Sequence, residues 1–181
     1  MKMKFIQIIT GKNICFLLSG IFLTLVAANS VFAQTEKEIV KIRADVAAIN
    51  KGAAKYAKKT KDVEDISLEG TEATYFSAGG NLKKITSKMY GETYNATGEF
   101  YYQDGQLMFA FLKYNRYDTQ IGMDKPPKVV SVEEQRYYFA DGDLIRLLVG
   151  KKELKSGGER YDELKDSIID ISSKLKNSYE N

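Results

Sequence analysis

Phe100-Tyr101-Tyr102-Gln103-Asp104-Gly105-Gln106-Leu107 is the stretch on which the fold turns. Adjacent aromatic residues favour an extended, half-buried strand, and Asp-Gly supplies the two positive φ angles that a type I′ hairpin turn requires. The chain is therefore predicted to reverse at Asp104 and Gly105. Two other stretches repeat the pattern, Tyr75-Phe76-Ser77-Ala78-Gly79-Gly80-Asn81-Leu82 and Tyr137-Tyr138-Phe139-Ala140-Asp141-Gly142-Asp143-Leu144. Three tips imply six strands, near 66–76, 82–90, 97–103, 106–115, 129–140 and 143–150, joined as an antiparallel meander.

Counting outward from the Asp104-Gly105 tip sets Tyr102 opposite Leu107, Tyr101 opposite Met108 and Phe100 opposite Phe109. One face of the hairpin then carries Phe100, Tyr102, Leu107, Phe109 and Phe111, and the other Tyr101, Met108, Ala110, Leu112 and Tyr114. A half-solvated antiparallel strand alternates apolar with polar residues, so apolar residues on both faces imply one of two arrangements. Either each face is covered by one helix, or both helices share a face and the other is left for a ligand, a partner or another copy of the chain. Two amphipathic segments can provide the cover. Ile39, Ile42, Val46, Ile49, Ala53 and Tyr56 recur at helical spacing behind a Thr35-to-Glu38 capping box and predict a helix over about 36–59. Tyr161, Leu164, Ile168, Ile171 and Leu175 predict a second over 159–177, with Ser156 and Glu159 as its capping box. The fold class expected is α+β, an antiparallel meander sheet of about six strands flanked by an N-terminal and a C-terminal helix.

The second interval between tips, Gly105 to Gly142, is twelve residues longer than the first, Gly80 to Gly105. The extra length is placed in Asn115 to Lys128, which holds both prolines, Pro126 and Pro127. A loop of that length is uncommon unless it binds something or covers a site. Asp118 and Asp124 within it lack the dense alternating oxygens of a calcium loop, and no metal site is expected there.

Before the first helix the chain has the three parts of a secretory signal peptide. Lys2, Lys4 and Lys12 supply the positive region, Ile14 to Ala28 carries no charge, and Val31-Phe32-Ala33 sets small or short residues before a cut at Gln34. The uncharged stretch is shorter than the roughly 20 residues a helix needs to cross a bilayer. Cleavage of residues 1–33 is expected, leaving 34–181 as a single α+β domain that is periplasmic or secreted, with no stable membrane insertion after cleavage.

The formal charge of +3 resides in the three signal lysines. The remainder is formally neutral, which removes the electrostatic case for nucleic acid. Cys15 is the only cysteine and lies inside the signal, and there is no histidine or tryptophan. Disulfides, thiol chemistry, the commonest general base and the commonest transition-metal ligand are thereby excluded from the expected mature chain. No cofactor motif is present.

Residues 35–150 resemble small exported bacterial proteins of unknown function. The resemblance rests on Ile42-Arg43 with Ile49-Asn50 in the first helix and on the Tyr-Tyr/Phe-x-Asp-Gly-x-Leu tips. It implies the same helix-then-hairpins order and carries no activity.

Function is expected to lie in binding. All 12 tyrosines follow Ala33, and tyrosine offers a large apolar body with one polar tip suited to interfaces. Tyr101, Tyr114, Tyr117 and Tyr138 are the candidate contacts, with a protein, peptide or glycan as partner through the aromatic sheet and the 115–128 loop. One alternative is an exported hydrolase-like enzyme working through carboxylates such as Glu133 with Glu134 or Asp141 with Asp143. Adjacent strand residues point to opposite faces, however, and the second pair belongs to a turn. A further alternative is an oligomeric structural envelope protein.

Overall fold

The computed structural model describes residues 14–123 and 126–181, with side chains from Ala33 onward. Contacts divide the chain into two units, one ending at Glu38 and one comprising Ile39–Asn181. Helix α1, Ile14–Gly52, runs through both. In the first, Gln34 Nε2 donates to Glu38 Oε1 at 3.2 Å. Among the described residues no helix is long and apolar enough to cross a membrane. The capping box expected at Thr35 therefore lies within a continuous helix. Neither proline nor glycine interrupts 21–51, so local sequence offers no stop before Gly52.

The second unit is α+β. Its sheet has eight antiparallel strands in sequence order rather than the six expected: β1 Ala57–Val63, β2 Thr71–Ala78, β3 Asn81–Gly91, β4 Tyr94–Gln103, β5 Gln106–Tyr117, β6 Val129–Ala140, β7 Asp143–Val149 and β8 Lys152–Leu154. The two unforeseen strands are the sheet edges. β1 lies in a segment expected to finish the first helix, which instead ends at Gly52 and passes through a 3-10 turn, Ala53–Lys55. Ala53 and Tyr56 continue the helical spacing by coincidence, and the lysines of β1 hide its strand character. Helix α2, Glu159–Glu180, begins at Gly158 without a side-chain cap, so Ser156 does not cap it.

All three tips form as expected. Asp104 and Gly105 have φ of 51° and 77°, Asp141 and Gly142 52° and 85°, and Gly79 and Gly80 58° and 79°. Each is followed by the same irregularity. Tyr102 does pair with Leu107, but Tyr101 pairs with Phe109 and Phe100 with Ala110, leaving Met108 as the extra residue of a bulge. Lys83 and Ile145 are the corresponding extra residues of the other two hairpins. A one-residue slip exchanges the faces of everything beyond it. Phe109 thus lies with Tyr101, and Ala110 and Leu112 lie with Phe100, contrary to the faces counted from the tip.

Both faces are covered, each by one helix. On one, Tyr161, Ile168, Ile171 and Leu175 of α2 join Tyr75, Ile85, Phe100, Tyr102, Leu112, Tyr137, Phe139 and Leu147 in the main core. On the other, Ile39 and Ile42 of α1 pack with Tyr138, Phe109, Ile145 and Leu148.

Candidate functional site

Two of the four candidate tyrosines are interior. Tyr101 is 1% exposed and Tyr138 3%. The Tyr101 hydroxyl accepts from Asn50 Nδ2 of α1 at 2.9 Å and donates to Glu99 Oε2, and Lys84 Nζ lies 4.9 Å from its ring centroid. Arg43 of α1 reaches the Tyr138 hydroxyl at 3.4 Å and lies over its ring. Both tyrosines are covered because α1 lies on their face of the sheet, so neither offers a surface to a partner. Ile42 enters the core, and the polar members of the two pairs, Arg43 and Asn50, clamp the helix to two buried tyrosines.

Tyr114 is different. It is half-buried on the α2 face and lines a cleft of about 550 Å³ with Tyr94, Arg116, Glu133, Gln135 and the α2 residues Glu159, Arg160, Glu163 and Leu164. Four elements contribute, β4, β5, β6 and α2. Register sets Tyr94 opposite Arg116 and Tyr114 opposite Glu133, bringing these side chains together. The Tyr94 and Tyr114 rings meet at 6.1 Å and 48°. Tyr94 folds over Gly91, where a Cβ would overlap its ring, so glycine at the end of β3 makes room for this wall of the cleft.

The cleft carries both signs of charge. Arg160 bonds Glu133 Oε2 at 2.7 Å, Gln135 donates to Glu133 Oε1 at 2.6 Å, and the buried Tyr137 hydroxyl donates to Gln135 Oε1 at 2.5 Å. Burial works to raise the Glu133 carboxyl, but the hydrogen bonds from Gln135 and Arg160, with the charges of Arg160 and Arg116, outweigh it and hold the group below its ordinary value. Burial, helped by Tyr94 and opposed by Arg116, pushes the Tyr114 hydroxyl up to about 12.

Tyr117 lies three residues from Tyr114, hence on the opposite face of β5, and does not line the cleft. Its strand extends the expected sheet, and the connection to β6 is Asp118–Lys128 rather than Asn115–Lys128. This loop is tied down. Asp118 accepts the Lys128 amide at 2.8 Å and gives its own amide to the Lys128 carbonyl at 3.0 Å. Tyr117 and Ile121 amides bond the Thr93 and Glu92 carbonyls, both at 2.8 Å. Asp118 thus closes the loop base, while Asp124 lies outside the described residues.

A larger cleft of about 860 Å³ lies at the β1–β2 connection. Apart from Tyr90 and Tyr94 it is lined by the continuous run 62–72, and is the inside of one loop rather than a convergence of elements. The carboxylate pairs do not form a catalytic dyad. Glu133 bonds Arg160 while Glu134 bonds Arg136 at 2.6 Å, and Asp141 occupies the left-handed turn. Among the described residues there is no group of three or more acids or cysteines placed to hold a metal. Tyr94, Arg116, Arg160 and Glu163 were not legible as a site because only strand register and the seat of α2 bring them together. No protein-family model, curated protein or solved structure matches this chain.

Proposed function

We propose that this chain is exported and acts outside the cytoplasm as a non-catalytic protein that binds a peptide segment of a partner in the Tyr94–Tyr114 cleft. The observation that carries the proposal is the composition of that cleft: two facing aromatic rings, Arg116 and Arg160 on one side of the charge balance, and Glu133, Glu159 and Glu163 on the other. A peptide supplies charges of both signs and an amide backbone for such a surface, whereas a neutral glycan would leave the charged groups unanswered. Its volume falls within the range of about 300–1,000 Å³ typical of ligand sites. Binding is favoured over catalysis because Glu133 is held ionised by two donors and the Tyr114 hydroxyl is held protonated. Neither group is poised near neutral pH to exchange a proton. Export is supported by the lysine-led, uncharged 14–28 stretch and the small residues before Gln34.

Titration calorimetry with short peptides bearing both an acidic and a basic side chain tests this reading on protein expressed from the full chain. Arg116→Ala is the cleanest variant, since Arg116 is exposed. It and Tyr114→Ala are each expected to weaken binding tenfold or more, about 1.4 kcal/mol. Tyr117→Ala, on the far face, leaves affinity unchanged. Full affinity in folded Arg116→Ala and Tyr114→Ala proteins removes the cleft as the site. An intact mass beginning at Gln34 supports export, and retention of residues 14–28 overturns cleavage.

A further inference from the structure

Among the described residues Lys84 is the only lysine, arginine or carboxylate that is buried, at 8% exposure. Its Nζ meets three groups at once: Asn50 Oδ1 at 2.9 Å, Glu99 Oε2 at 3.1 Å and the Tyr101 ring, whose centroid is 4.9 Å away. The Tyr101 oxygen lies 2.9 Å from Asn50 Nδ2, and its hydroxyl donates to the same Glu99 oxygen that accepts from Lys84. Amine, carboxylate, phenol and amide therefore close a ring.

The ring holds every part of an acyl transfer. It has a nucleophile, a base in contact with it, a carbonyl beside the nucleophile, and a hydroxyl that joins the base to the leaving nitrogen. Burial and the neighbouring Glu99 push the Tyr101 hydroxyl up, so it stays a donor at neutral pH. Asn50 is exposed at the end of α1, which leaves a way out for ammonia.

We propose that Lys84 and Asn50 join in an intramolecular isopeptide bond that the chain forms by itself, with Glu99 as the base and Tyr101 as the proton relay. Glu99 takes one proton from the Lys84 ammonium. The neutral amine attacks Cγ of Asn50, the Nζ–Cγ bond forms, and the carbonyl electron pair moves onto Oδ1. The proton on Glu99 passes through the Tyr101 hydroxyl to Nδ2, and the freed carboxylate takes a second proton from Nζ. The pair on Oδ1 then returns, the Cγ–Nδ2 bond breaks, and ammonia leaves, carrying away the Glu99 proton as ammonium. Nothing is oxidised or reduced. Amides resist amines in free solution, but two groups held together by one fold react as though at about 10⁵ M or more. The product ties the end of α1 to β3 covalently, in a chain whose single cysteine, Cys15, cannot form a disulfide within it.

Tryptic mapping of protein expressed from the full chain reads the bond directly. Linked protein yields residues 44–51 joined to 84–88, because the bond blocks cleavage after Lys84, and unlinked protein yields 44–51 and 85–88 apart. The joined peptide is lighter than its two parts by one ammonia, about 17 Da. Intact mass alone does not serve, since an N-terminal Gln34 that cyclises loses the same ammonia. The joined peptide is expected in the wild type and never in Lys84→Arg, which keeps the charge without the nucleophile. After a pulse of synthesis, Glu99→Gln is expected to form it at least about 100-fold more slowly and Tyr101→Phe at least about tenfold more slowly, with circular dichroism confirming that each is folded. If Glu99→Gln does not fold, Tyr101→Phe carries the rate test. Separate peptides alone in the wild type would overturn the proposal, leaving the four groups as a salt bridge with its hydrogen bonds. Linking at the wild-type rate in either folded variant overturns the mechanism.

Discussion

Gly142 illustrates how one residue specifies a turn. Its φ of 85° follows Asp141 at 52°, and a Cβ built on it would meet nothing within 4 Å. Space is therefore not the constraint; the left-handed backbone is. Gly142→Val is expected to cost at least about 1–2 kcal/mol, because a β-branched side chain is a poor occupant of that region. An unchanged thermal midpoint would exclude a required positive φ. Such turns were readable beforehand because a dipeptide carries the whole constraint. Tyr101 and Tyr102 were harder to tell apart. Both are 1% exposed, yet one faces Asn50 of α1 and the other bonds Ser172 of α2 at 2.9 Å. Their faces followed from alternation alone, but those of Phe109 and Leu112 did not, because the Met108 bulge has no glycine or other local mark.

At the scale of elements, α1 is attached by a small core and one polar cluster. Lys84, buried at 8% exposure, donates to Asn50 Oδ1 at 2.9 Å and to Glu99 Oε2 at 3.1 Å, while Asn50 also bonds the Tyr101 hydroxyl. Removing Asn50 leaves an ammonium and a phenol each short of a partner in a poorly hydrated place. Asn50→Ala is expected to cost about 1–3 kcal/mol, read as a shift in the urea midpoint and as faster amide exchange across 39–52. Exchange unchanged in that segment would show that the isoleucines alone hold the helix. The helices were legible from their apolar stripes, and six of the strands from the three glycine tips that join them in pairs. The β1 edge was not. Of its seven residues only Val63 is buried, and an exposed, lysine-rich strand has no apolar alternation to recognise. The α1 start was misplaced for the converse reason, since an N-cap motif does not end a helix that nothing upstream interrupts.

The whole molecule has no histidine, and no cysteine after Cys15, so its second unit is held by packing in which tyrosine is unusually prominent. Four of the largest fully buried side chains are Tyr75, Tyr101, Tyr102 and Tyr137. Burial raises the hydroxyls of all four, and raises Tyr114 to about 12. In the unfolded chain a tyrosine ionises near 10. Below that pH both states keep the proton and the stability from burial is complete. Above it the unfolded chain loses protons that the folded protein retains, so the unfolded state is favoured increasingly. The loss reaches about 1.4 kcal/mol per pH unit for each such tyrosine. Several tyrosines acting together make the dependence steep, and unfolding is expected between about pH 10 and 12. Through the neutral range no histidine titrates, and Glu133, held below its ordinary value, contributes stability that is lost only on acidification. Stability is therefore expected to stay nearly flat from about pH 6 to 9. Circular dichroism and tyrosinate absorbance followed in one alkaline titration test the mechanism. The buried tyrosines should ionise together with the loss of β signal; their ionisation near pH 10 in a sheet that remains folded would show that burial is not what holds their protons.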